Sequence, residues 1–217
     1  IYNSESILFG ESASGIKLFE RRKNIKKGSL PTIQESLLIL IVALLLMVYV
    51  GGIMSLSEPL MGVILPQFFI GVLPVLACIY IKGNPKVIFG LRLPKGRDII
   101  GAFCLYLGLG SFTLLLSNLL GYLFPESSQG LNEEYLKLLD GVSFVPALLL
   151  IAFVPAVCEE LLFRGYMLTA FRQKMDVSKA VFFVSVLFGI SHMSLIKLIP
   201  TAFLGAGLAY AMYRSKS

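Results

Sequence analysis

The stretch GVSFVPALLLIAFVPAVCEELLFR, residues 141–164, decides how this chain folds. Eighteen uncharged residues, Gly141 to Cys158, run into Glu159 and Glu160 and then to Arg164. The apolar character continues through this charged motif to Phe171, long enough to cross a bilayer core, which takes about 20 residues as a helix. Carboxylates in such a segment are costly. They usually face a protein interior or a water-filled cavity, where they serve ion pathways, proton relays or chemistry. The single histidine, His192, lies in the next apolar segment.

The rest of the chain has the same character. Of 217 residues, 56% are hydrophobic and 15% charged, and the mean hydropathy of +0.82 excludes an ordinary soluble domain. Other uncharged runs extend over Ser36–Ser57, Pro59–Ile81, Ile99–Pro125, Ala180–Ile196 and Leu198–Tyr213. The expected architecture is all-α, a polytopic transmembrane bundle of about six spans, multi-pass in the cell membrane. Sixteen of the nineteen Lys and Arg fall before the first span, between spans two and three, between four and five, and after the sixth. Short basic loops stay inside, so six spans put all four groups on one face and both ends in the cytoplasm. The acidic loop with Glu126, Glu133, Glu134 and Asp140 falls on the other face. The net charge of +6 is spread over juxtamembrane loops. It is explained by orientation and by attraction to membrane lipids, and nucleic acid is not an expected partner.

Three regions follow. Residues 1–30 read as a basic cytoplasmic lead-in, 31–95 as two N-terminal transmembrane helices with a cytoplasmic loop, and 96–217 as the core that carries the charged motif. The loop from Lys82 to Arg97 contains Gly83, Pro85, Gly90, Pro94 and Gly96, which punctuate a helix rather than propagate it. Leu131, Tyr135, Leu138 and Leu139 recur at helical spacing, which predicts a short amphipathic helix on the outer surface. Cys78, Cys104 and Cys158 all lie in apolar runs and read as packing thiols.

On an α-helix Glu160 and Arg164 are four apart with the acid first, the better orientation for a pair. Glu159 lies about 100° around the helix and stays available to a partner elsewhere. Phe188 and His192 are also four apart and share a face. Glu159 precedes the basic Arg172 by thirteen residues and His192 follows the basic Lys179 by thirteen, so both lie roughly 20 Å from one boundary. Antiparallel neighbours would bring carboxylate and imidazole to one level. Glutamate with histidine suits water activation: the carboxylate takes the proton while the imidazole orients water or stabilises charge on a carbonyl oxygen. The same residue types are compatible with a divalent metal, which would lower the pKa of bound water. A catalytic zinc normally takes three protein ligands, and using Glu160 would compete with Arg164, so no metal ligand is assigned.

Glu159-Glu160-Leu161-Leu162-Phe163-Arg164 has the form EExxxR, and Phe188-Gly189-Ile190-Ser191-His192 has the form FxxxH. In this order, on successive helices, they resemble the motifs of the CPBP (CAAX protease and bacteriocin-processing) intramembrane proteases, the family of CAAX prenyl endopeptidases and of bacterial Abi and lysostaphin-resistance proteins. The resemblance covers residues 96–217. It implies an intramembrane endopeptidase acting on a protein or peptide substrate, with Glu159 activating water, Glu160 and Arg164 supporting the site, His192 completing it and Phe188 packing beside it. The family also carries a helix with His or Asn followed four residues later by Asn or Asp. No such pair follows Tyr213, and the core is expected to be truncated at its C-terminus. The Leu8-Phe9-Gly10-Glu11 stretch and basic lead-in resemble the junction of bacterial fusions between an ABC-type permease and a CPBP domain, which makes a permease a candidate partner. A different class is a non-proteolytic scaffold, immunity or transporter-associated module keeping the glutamates as a structural ion pair.

Overall fold

The computed structural model of the chain describes residues 22–125 and 142–215, all of it helix and connection with no strand among them. Five helices are long and apolar enough to cross a membrane: α1 (Ile33–Ser57), α2 (Pro59–Tyr80), α4 (Gly96–Leu123), α5 (Phe144–Phe171) and α7 (Leu195–Ser215). A four-residue turn, α3 (Pro85–Ile88), interrupts the loop after α2. The sixth apolar segment is α6 (Val177–Ser191), only 15 residues long. The uncharged run Ala180–Ile196 had predicted one span with His192 in its interior. Instead the helix stops at Ser191, His192 is its C-cap, and Met193 takes a positive φ of 49° before α7 begins. The amphipathic helix expected near residues 131–139 lies outside the described residues, as does most of the lead-in.

Local chemistry sets the helix starts. Thr32 opens α1 with a capping box: its hydroxyl accepts from Glu35 N at 3.2 Å, and the Glu35 carboxylate accepts from Thr32 N at 2.8 Å. Asp176 caps α6, its carboxylate accepting from Lys179 N at 3.3 Å. That bond holds the Asp176 carboxyl below its ordinary value. A lowered carboxyl stabilises the fold above its unfolded-state value and ceases to do so as pH falls through the folded one. Acidification is therefore expected to lower the hydrogen-exchange protection of the first α6 amides relative to their unstructured rates at the same pH, an effect that Asp176→Asn, which keeps the cap without the titration, should remove. Equal acid sensitivity in Asp176→Asn would dismiss the cap as its source.

The core is built where α5 meets its neighbours. Leu162, Phe163, Met167 and Leu168 of α5 bury against Val181, Val184 and Phe188 of α6, Leu40 and Ala43 of α1, Ile70 of α2 and Ala209 of α7. A second cluster, Cys78, Ile81, Ile88, Phe89 and Tyr166, ties the α2–α4 loop to the same helix. Helix α4 buries no residue and packs on α7, with Phe112 and Phe203 edge-to-face at 5.5 Å. Its exposed Ile99, Phe103, Leu115 and Leu119 are the side chains that lipid tails would cover. All three cysteines are free; Cys78 is buried, but Cys104 is exposed on α4 rather than packed.

The basic connections gather at one end of the bundle, as the charge bias requires. Lys82 Nζ donates to Ile25 O at 2.8 Å, Gly28 N donates to Lys82 O at 2.9 Å, and Gln173 Nε2 donates to Pro31 O. Thr169 Oγ1 donates to Ile88 O at 3.0 Å, and the Arg172 guanidinium lies 4.7 Å over the Tyr213 ring. These contacts join the approach to α1, the end of α2, α3, the end of α5 and the end of α7.

Candidate functional site

Helix α5 is not a regular α-helix. Its backbone widens to π winding at Leu149–Phe153 and again at Glu160–Met167. The first widening includes Ile151, the carbonyl four residues before Pro155, where a proline ring would otherwise clash and no N–H is available. The second holds most of the charged motif. The α-helical spacing assumed from the sequence is thus corrected at this point: Glu159 ends an α turn and Glu160 begins a π segment.

The expected pair nonetheless forms. Arg164 Nη1 lies 3.3 Å from Glu160 Oε1. The arginine side chain is 2% exposed, whereas that of Glu160 is 47% exposed, so the pair runs from the core outward. The guanidinium carbon sits 4.1 Å over the ring of Phe188, a cation–π contact that gains strength where water is excluded. Phe188 also meets Phe163 edge-to-face at 5.0 Å and His192 at 4.9 Å. Contact therefore passes from Glu160 through Arg164 and Phe188 to His192, linking both sequence motifs. Arg164 Nε and Nη2, buried, have no hydrogen-bond partner among the described residues.

Glu159 is placed differently. It is half-buried and makes no hydrogen bond or ion pair among the described residues, and none joins it to His192. Cys158, just before it, is held against α2: a Cβ on Gly71 would come 2.7 Å from Cys158 Sγ. His192 Nδ1 lies 2.9 Å from Phe188 O. A carbonyl only accepts, so Nδ1 carries the proton and donates, and in the neutral form of the ring Nε2 is then the lone-pair nitrogen.

Two glycines that sequence reasoning missed close the site. A Cβ on Gly205 of α7 would stand 2.9 Å from Phe188 Cδ1 and 3.6 Å from Arg164 Nη2, and one on Gly189 of α6 would stand 2.6 Å from Leu198 O. The signal for Gly205 was readable as Thr201, Gly205 and Ala209, small residues every fourth position, the pattern that lets membrane helices approach closely. Each Gly→Ala change is expected to cost about 1–3 kcal/mol by overpacking, with Gly189→Ala the worse because it meets backbone. Thermal unfolding in detergent checks this; an unshifted transition in Gly189→Ala would mean the helices separate freely.

Among the described residues no group of three or more His, Cys, Asp or Glu lies close enough to hold a metal ion. With Glu160 engaged by Arg164, the described donor set does not close a metal site.

Residues 141–217 match the family model described as type II CAAX prenyl endopeptidase Rce1-like. The Rce1-like family is a protease family, and the matched segment contains Glu159, Glu160, Arg164, Phe188, His192 and Gly205. This match and the apolar helices support a multi-pass membrane hydrolase that contacts lipid and peptide. The Rce1-like match gives no support to an ABC-type permease as partner, and Leu8–Glu11 lie outside the described residues. No curated protein and no solved structure matches the chain significantly.

Proposed function

We propose that the protein is an intramembrane endopeptidase in which Glu159 activates water against a peptide bond, with His192 orienting that water. The observation that carries this reading is the contact chain Glu160–Arg164–Phe188–His192 inside the Rce1-like segment. It commits Glu160 to Arg164 and fixes the imidazole, leaving Glu159 as the carboxylate without a partner of its own.

Glu159 takes a proton from water as the water oxygen bonds to the scissile carbonyl carbon. The same carboxyl then returns the proton to the departing amine as the C–N bond breaks, leaving one new carboxyl and one new amino terminus. His192 Nε2, the nitrogen left with a lone pair when Nδ1 donates to Phe188 O, accepts a hydrogen bond from the attacking water. The fixed tautomer favours this orienting role over oxyanion stabilisation, which requires a donor. Phe188 O also accepts from Ser191 Oγ at 2.7 Å, so the carbonyl that sets the tautomer is itself held.

The test is hydrolysis by the intact protein in lipid vesicles, using a membrane-tethered reporter peptide in heavy-oxygen water. Site-specific cleavage that places one heavy oxygen in the new carboxyl terminus is the expected result. Binding of the peptide without any cleavage would favour the non-proteolytic scaffold instead.

A further inference from the structure

A cleft of about 200 Å³ opens where the basic connections converge, and neither Glu159 nor His192 lines it. Lys86, Arg92, Arg164 and Arg172 supply four cations to its wall, Thr169 and Tyr213 add hydroxyl groups, and no carboxylate among the described residues lines it. We propose that this cleft binds the phosphate of an acidic phospholipid headgroup. The inference stands apart from the protease reading and does not depend on it.

Three observations point there. The charge is under-compensated: Arg164 has Glu160 as its ion-pair partner, but Lys86, Arg92 and Arg172 share the concavity with no acid in its described lining, an arrangement that an anion relieves. Arg164 lines the cleft while two of its nitrogens are buried with no hydrogen-bond partner among the described residues, and unmet guanidinium donors match a phosphate's geometry. The third is depth. Arg172 follows the last residue of α5, Tyr213 lies two residues before the end of α7, and Lys86 and Arg92 belong to the α2–α4 connection. Arg164 sits eight residues into α5 from Arg172, on the order of 12 Å for a helix. The cleft thus begins where lipid headgroups lie and reaches inward. Basic pockets between transmembrane helices at this level suit anionic headgroups, and an interfacial tyrosine belongs there. The volume is below that of a drug-sized pocket and fits a phosphate with its glycerol.

A headgroup phosphate and free phosphate share this chemistry, so the experiment separates them. The intact protein, delipidated in neutral detergent, is titrated with phosphatidylglycerol, with phosphatidylcholine or with inorganic phosphate while Tm is followed. Phosphatidylglycerol at about a hundred-fold excess over its Kd is expected to raise Tm by about 5–10 °C, and phosphatidylcholine is expected to leave it unchanged. The triple variant Lys86→Gln, Arg92→Gln, Arg172→Gln should weaken phosphatidylglycerol by at least about ten-fold. The triple Lys27→Gln, Lys95→Gln, Lys174→Gln removes equal charge from exposed positions outside the cleft and should bind as the parent does.

Equal loss in both triples overturns the site in favour of diffuse attraction. A Tm rise with inorganic phosphate as large as that with the lipid overturns the lipid as occupant. Unchanged lipid affinity in the cleft triple, with lost affinity for a peptide ending in a free carboxylate, reassigns the cleft to peptide recognition. Should the cleft triple not fold, Arg92→Gln alone, at an exposed side chain, carries the same comparison.

Discussion

Glu159→Gln in the intact protein is expected to slow peptide-bond hydrolysis by about 10²–10⁴-fold, the range for losing a positioned general base, while the amount of folded protein stays the same. The two halves of this expectation come from one fact. Glu159 is half-buried and makes no hydrogen bond or ion pair among the described residues, so its replacement by an amide of equal shape breaks no such bond and removes a charge from membrane depth. A residue kept for packing or pairing would behave the other way. His192→Ala should produce a similar loss of rate. His192→Gln, which offers an amide acceptor near the position of the ring nitrogen, should recover part of it if the imidazole orients water. Hydrolysis by Glu159→Gln at the parent rate would remove the carboxylate from the mechanism. Full activity in His192→Ala would do the same for the imidazole.

Arg164→Ala should give the opposite phenotype, a loss of folded protein. Its side chain is 2% exposed and lies against Phe188, with α7 closing over it at Gly205. Truncation removes this packing, and removing one partner of a buried pair typically costs about 3–5 kcal/mol. Glu160 is 47% exposed and keeps access to its surroundings, so the ion-pair share is discounted and about 3 kcal/mol is the better figure. This corresponds to a fall of roughly 6–12 °C in Tm for a chain of this size. Glu160→Gln, which leaves the arginine packed, should cost less than half as much. A double-mutant cycle over the two positions measures the pair itself. Equal destabilisation by the two single changes would mean that the ion pair, rather than packing on Phe188, dominates.

Much of this was legible in the residues. Long uncharged runs announced membrane helices, because backbone groups in lipid must satisfy themselves within a helix, and the distribution of Lys and Arg foretold which connections share an end. The Glu160–Arg164 pair and the Phe188–His192 stacking followed from four-residue spacing. What spacing did not reveal was winding and termination. The π turns of α5 depend on how that helix packs and on Pro155, and the stop after Ser191 depends on Met193 adopting a positive φ. Apolar composition is blind to both, since Ala180–Ile196 reads as one run whether or not the backbone breaks within it. Nor did the sequence suggest that Lys86, Arg92 and Arg172, from separate connections, meet in one cleft.

The wide winding between Glu160 and Met167 bears on how many residues α5 can hold. A π turn behaves as an α-helix accommodating one residue more than its length requires. Deleting one residue there would let the backbone tighten to α winding while everything beyond kept its facing, whereas the same deletion in an α-wound turn would rotate everything beyond by about 100° about the helix axis. Leu168, Ala170 and Phe171 would stay in the core after the first change and swing out of it after a deletion in the α turn that ends at Glu159. Loops in this protein can change length at little cost, and the wide turn gives α5 the same slack, for one residue, between the glutamates and the basic end of the bundle.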